Sequence, residues 1–207
     1  MRLSEEYRPI SLDECILPLR IESKISRLIN RNDLGHLIFC GSQGTGKTSL
    51  ARVLLNMFSK DSGCYINASF DNDANFINQL IKQISSMPLY EEKRIIVLDE
   101  SDQITENAQN RLKVPLETHA KYNTFIFCCN DIKKMTKPIR SRCYEFDFEP
   151  LVDLEVDENK ELFDKCVKRV RSIVKKEKIK TTEKVIQNHV EKYFPDYRKI
   201  VDEIISL

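Results

Sequence analysis

No apolar run in this 207-residue sequence approaches the roughly 18 residues that a membrane-spanning helix needs, so a helical membrane protein is excluded. Net charge is nearly absent too, with 33 Lys and Arg against 32 Asp and Glu. No global field draws the chain to nucleic acid or an anionic membrane, and any nucleic-acid contact must be local. The N-terminus, Met1-Arg2-Leu3-Ser4-Glu5-Glu6, turns acidic where a secretory leader would become apolar, so a cytoplasmic location is expected. The 7 cysteines contain no CxxC pair and are odd in number, which argues against a disulfide framework or a structural zinc. His36, His119 and His189 lie far apart without partners at metal-ligand spacing and read as surface or packing residues. Glycine is scarce, and its placement is informative: of 5 in the chain, Gly41, Gly44 and Gly46 fall in one short loop.

What is present is an ordinary globular composition, 41% hydrophobic and 31% charged, arranged with an α/β rhythm. Short β-rich runs at 37–40, 64–67, 94–99, 124–130 and 144–148 alternate with helical patterns. Leu50, Val53, Leu54, Met57 and Phe58 share one helical face that can cover a sheet. Near-continuous apolar strands of this kind need helices on both faces, so a five-stranded parallel sheet is expected. After Pro150 the pattern changes, with Leu162, Cys166, Val170, Ile173 and Val174 at helical spacing. The expected organisation is an α/β domain over 1–150 and a small all-helical domain over 151–207. The basic run Lys168, Arg169, Arg171, Lys175, Lys176, Lys178 and Lys180 reads as the solvated face of that domain's first helix.

The strongest local signal is Gly41-Ser42-Gln43-Gly44-Thr45-Gly46-Lys47-Thr48, which fits G-x-x-x-x-G-K-[ST] between a strand and a helix. Such a loop turns its N–H groups inward around phosphates, with a helix N-terminus behind it. Residues Gln43, Gly44, Thr45, Gly46, Lys47, Thr48 and Ser49 are therefore the expected nucleoside triphosphate-binding loop, Lys47 reaching the β and γ phosphates and Thr48 ligating Mg²⁺. A second element, Ile95-Ile96-Val97-Leu98-Asp99-Glu100, runs a buried strand into two acids, which is costly unless a cation or a proton needs them. Asp99 is the expected Mg²⁺ carboxylate and Glu100 the general base toward water. Together the two motifs specify nucleoside triphosphate hydrolysis.

With these residues placed, Glu6-Tyr7-Arg8-Pro9, Asn67-Ala68-Ser69, Asp99-Glu100-Ser101-Asp102, Cys129-Asn130 and Ser141-Arg142-Cys143 follow in an order that resembles the AAA+ sliding-clamp loaders. The likeness is to the replication factor C small-subunit type. Tyr7-Arg8-Pro9 with Asp13 to Pro18, and Phe194-Pro195-Asp196-Tyr197-Arg198-Lys199, look closest to the ATPase subunit of T4-type tailed phages. The resemblance implies that Arg8 and Pro9 lie against adenine and that Asn67 restrains Glu100 until DNA binds. It implies that Asn130 is the sensor-1 residue, that Arg198 in the helical lid domain is sensor 2, and that Arg142 completes a neighbouring subunit's site in trans. It further implies a hetero-oligomeric ring of clamp-loader subunits, a sliding clamp and primer-template DNA as partners, and no membrane. A phage-encoded chain would act in the host cytoplasm.

Departures from the family pattern are expected to matter. No collar domain is expected after the lid. Lys113 stands where Arg is common, Pro115 should kink its helix, and Phe70 with the acids after it replaces an Arg-Gly stretch. The alternatives are another AAA+ ATPase acting on nucleic acid and a nucleotide-dependent assembly module with little hydrolysis.

Overall fold

The computed structural model describes residues 2–59, 62–70, 73–85, 93–149 and 157–206. Five strands, β1 (His36–Cys40), β2 (Cys64–Asn67), β3 (Arg94–Asp99), β4 (Asn123–Cys129) and β5 (Cys143–Asp147), form one sheet in the order β2-β3-β4-β1-β5, paired in parallel throughout. Each lies within one residue of its sequence-predicted run. Around them run α1 (Leu3–Glu6), α2 (Leu19–Asn30), α3 (Lys47–Ser59), α4 (Ala74–Ile84), α5 (Glu106–Arg111), α6 (Lys113–Thr118) and α7 (Lys137–Arg140). The C-terminal region is helical: α8 (Asp157–Lys176), α9 (Glu183–Tyr193) and α10 (Tyr197–Asp202).

The three central strands, β3, β4 and β1, are buried on both faces, and alternation along them decides which core each residue joins. Leu37, Phe39, Ile95, Val97, Ile126 and Cys128 pack on one side with Ile21 and Ile25 of α2 and Leu50 and Leu54 of α3. Their neighbours Ile38, Ile96, Leu98, Phe125 and Phe127 pack on the other with Ile77, Ala108 and Leu116. The predicted stripe of α3 is buried at Leu50, Val53 and Leu54 but not at Met57, which is 50% exposed. Pro115 acts as its chemistry requires: α5 stops at Arg111, the residue whose carbonyl a proline four positions on leaves without its N–H, and α6 restarts at Lys113.

A third core joins the chain ends. Tyr7 packs with Cys166, Val170, Ile186 and Ile200, with Leu3 and Ile16 against the same cluster, and the Ser4 N–H donates to Asp202 Oδ1 at 2.8 Å. The N-terminal segment thus packs on the C-terminal helices, although it precedes the sheet in sequence. The expected boundary at 150/151 lies outside the described residues.

His36 is a packing residue with a specific task. The Phe125 N–H donates to its Nδ1 at 3.1 Å, and its Nε2 lies 2.7 Å from Leu116 O, so a neutral ring with the proton on Nε2 ties α6 to the sheet. Burial pushes this imidazole below its ordinary pKa. The unfolded ring, titrating near pH ~6.5, takes up a proton that the folded ring refuses. Stability is therefore fully present above that pH and declines as pH falls toward the depressed folded value, by at most about 1.4 kcal/mol per pH unit. Thermal melts between pH 7.5 and 5.5 should show the parent losing more than His36→Gln; equal slopes would remove His36 from the account.

Candidate nucleotide site

The crevice at the carboxyl ends of the strands lies where the chain leaves β1, between β4 and β5, which is where open parallel sheets bind ligands. The loop after β1 has positive φ at Gly44 (81°) and Gly46 (97°) and runs into the N-terminus of α3 at Lys47. Glycine is required at 44 for a tertiary reason as well. A Cβ there would come within 2.0 Å of Asp196 Oδ1, and the Tyr197 N–H donates to Gly44 O at 3.0 Å. The C-terminal helices therefore dock directly on the loop.

Gln43, Gly44, Gly46, Lys47, Thr48 and Ser49 line one cleft. Facing them across it are Arg8 and Pro9 from the N-terminal strap, Asp99 and Glu100 from the end of β3, Asn130 after β4, and Arg198 on α10. Residues far apart in sequence thus meet at one cleft. Thr45, Asn67 and Arg142 are not among the lining residues. The Thr45 hydroxyl donates its proton to Ser42 O at 2.8 Å, so the hydrogen-bond donor it has left for a phosphate is its backbone N–H. Asn67 stands behind the acid: its Nδ2 lies 3.4 Å from Glu100 Oε1, and its Oδ1 accepts from the Ser69 N–H at 2.8 Å.

Lys47 is 7% exposed, and its Nζ donates to Gly41 O at 2.7 Å, Ser42 O at 2.6 Å and Asn130 Oδ1 at 3.2 Å. Desolvation lowers its pKa from the usual lysine value. Beside it, Thr48 Oγ1 lies 3.2 and 3.0 Å from the two oxygens of Asp99, a carboxylate only 8% exposed. Hydroxyl and carboxylate oxygens are the hard donors that Mg²⁺ prefers. Among the described residues no group of three His, Cys, Asp or Glu stands at metal-ligand geometry. The pair would fill only part of a cation's shell, with water or phosphate oxygens supplying the rest. Glu100 adopts φ 53°, a left-handed conformation costing a non-glycine residue on the order of 1 kcal/mol. Glycine would be easier there, and the residue that stands at this turn carries a carboxylate into the cleft.

Three participants escaped the sequence reading. Tyr65 Oη donates to Asp99 Oδ2 at 2.5 Å, and burial together with that bond pushes its phenol up to about 12. Arg169, read as part of a solvated basic face, instead faces the cleft, donating from Nη2 to Tyr7 O at 3.1 Å and lying 3.6 Å from Glu14. Its spacing from Cys166 and Ile173 (i+3 and i−4) already put it on the buried side of α8. Glu149 accepts hydrogen bonds from the Ser42 N–H and hydroxyl, tying β5's exit to the loop. Arg142 lies away from this cleft, its Nε donating to Glu117 Oε1 at 2.9 Å and its Nη1 to Pro138 O at 2.7 Å.

Residues 68–152 match the family model described as DNA polymerase III, delta subunit. Among curated proteins, the replication factor C small subunit of Haloarcula marismortui is 32% identical over 96% of this chain and 59% of its own length. That of Archaeoglobus fulgidus is 32% identical over 97% of this chain and 61% of its own length. The chain belongs to the replication factor C small-subunit family. A probable replication factor C subunit 5 of Dictyostelium discoideum is 30% identical over 98% of the chain and 58% of its own length. The chain spans about three-fifths of the length of these curated relatives. Among solved structures, the RuvB Holliday junction branch migration motor of Thermotoga maritima superposes with a TM-score of 0.74 at 15% identity, over 96% of this chain and 64% of its own. That likeness, at 15% identity, is one of fold alone.

Proposed function

We propose that the chain is the ATPase subunit of a sliding-clamp loader, using ATP binding and hydrolysis to load a clamp on primer-template DNA within a hetero-oligomeric ring. The observation that carries the ATPase reading is one cleft holding Lys47, Thr48, Asp99, Glu100 and Asn130 together with Arg198 from the C-terminal helices. Family membership over nearly the whole chain supports the clamp-loading role, and the RuvB likeness, at 15% identity, gives no comparable support for branch migration.

The glycine loop and the first N–H groups of α3 would cradle the phosphates, and Lys47 would leave the carbonyls of Gly41 and Ser42 to pair with them. Mg²⁺, when bound beside Thr48 and Asp99, supplies neutralisation of phosphate charge. Glu100 would take the proton of the attacking water on its carboxylate, and the 3.4 Å contact from Asn67 holds that carboxylate back from the task. Asn130, already hydrogen bonded to Lys47, would orient the water or the γ-phosphate. Arg8 and Pro9 would bound the base. Arg198 follows Tyr197, whose N–H holds Gly44, so nucleotide contact by Arg198 would fix the C-terminal helices over the loop.

Replacing Lys47 by Ala tests this reading. Calorimetry should show ATP affinity reduced beyond detection, since the loop then offers the β and γ phosphates no cation of its own. Undiminished affinity would refute the site.

A further inference from the structure

Asp99 is held from more directions than the sequence motif suggests. Oδ1 accepts from the Glu100 N–H at 3.1 Å, Oδ2 accepts from Tyr65 Oη at 2.5 Å, and Thr48 Oγ1 approaches both oxygens. A carboxylate turns easily about its terminal torsion. Donors on both oxygens fix its plane, and of these only the phenol comes from another strand. Tyr65 is itself held: Arg52 Cζ lies 3.9 Å from the ring centroid, a guanidinium over an aromatic face. Arg52 and Thr48 are four residues apart on α3 and so stand on the same face, one turn from each other. The helix that supplies the hydroxyl also supplies the clamp on the tyrosine.

We infer that Tyr65, clamped by Arg52, is a positioning residue that aims the Asp99 carboxylate at Thr48 and thereby sets how strongly this site takes a divalent cation together with nucleotide phosphates. Asp99 is the single carboxylate hydrogen bonded to Thr48 among the described residues, and no cluster of three acid, His or Cys ligands stands by to compensate for a misaimed one. Partners of this second kind behind a metal ligand typically matter 10- to 100-fold in metal affinity. The inference rests on the ATPase reading above.

The test uses the full chain and ATP, with affinity measured by calorimetry in excess Mg²⁺ and again in EDTA. The readout is the ratio of the two affinities, the gain that the cation confers. Tyr65→Phe removes one oxygen and keeps the ring. It is expected to bind ATP in EDTA as the parent does and to lose about 10- to 100-fold of the Mg²⁺-dependent gain. Arg52→Met, which frees the ring without touching Asp99, should shift the ratio in the same direction by less. A role limited to packing would lower both affinities equally, or lower the melting temperature with the ratio unchanged, and either result overturns the inference. The two levels separate cleanly. If Lys47→Ala binds like the parent, the ATPase reading fails and takes this inference with it. If the parent binds ATP with a Mg²⁺-dependent gain that Tyr65→Phe reproduces in full, the inference alone fails.

Discussion

Arg142→Ala is expected to cost the assembled complex about 10³-fold in stimulated ATP hydrolysis, the share usually carried by an inserted guanidinium that stabilises charge on the γ-phosphate. The same substitution should leave the ATP affinity of the isolated chain unchanged, because Arg142 is not among the residues lining its own cleft and is bound to Glu117 and Pro138. In the isolated chain the guanidinium is engaged by Glu117 and Pro138, and action on a neighbour would require it to leave that pairing. Mixing Arg142→Ala with Lys47→Ala subunits is the decisive measurement, since a Lys47→Ala neighbour can donate its intact Arg142 to a subunit with a working loop. Partial recovery of turnover establishes action in trans. A mixture as inactive as either parent variant, with assembly confirmed, would confine Arg142 to its own subunit or to the ion pair with Glu117.

Glu100→Gln should retain ATP binding and lose turnover by about 10²- to 10⁴-fold, the range that positioned acid–base groups supply. The amide keeps the shape of the side chain at a backbone position that already tolerates positive φ, so nucleotide affinity is not expected to change. What disappears is a carboxylate able to accept water's proton. Steady-state phosphate release from the assembled complex measures the loss. Retention of the parent rate would reassign the base, and Asp99 would not be its replacement, since its oxygens are committed to Thr48, Tyr65 and Glu100 N–H.

Of the two residues, Glu100 was legible in the sequence because its chemistry is tied to short-range pattern, whereas Arg142 was reached only through the resemblance to the clamp loaders. The loop motif is contiguous, and a phosphate-binding turn needs its glycines at fixed spacing. The strand ending in Asp99-Glu100 is read from apolar burial followed by charge. Strand positions were equally legible as short, near-continuous apolar runs, and the pleat then divides their residues between the sheet's two cores.

What pattern did not reveal is what depends on chain segments meeting. Tyr65 carries no motif, and nothing local says that its hydroxyl reaches a carboxylate on the neighbouring strand; the parallel register of Tyr65 with Val97, two residues before Asp99, brings it there. Arg169 sits in a run of basic residues whose composition says solvent; helical spacing puts it on the inward side of α8, but only packing brings it to Tyr7 and Glu14. Sequence by itself determined the α/β class, the loop that can hold phosphates and the acids that face it, because each is fixed by residue type at short separation. Tertiary structure decided that Tyr7 belongs with the C-terminal helices, that Asp196 and Tyr197 press on the glycine loop, and that Tyr65 and Arg52 stand behind Asp99. Those contacts join residues distant in the chain, and their geometry exists only once the sheet and helices have packed.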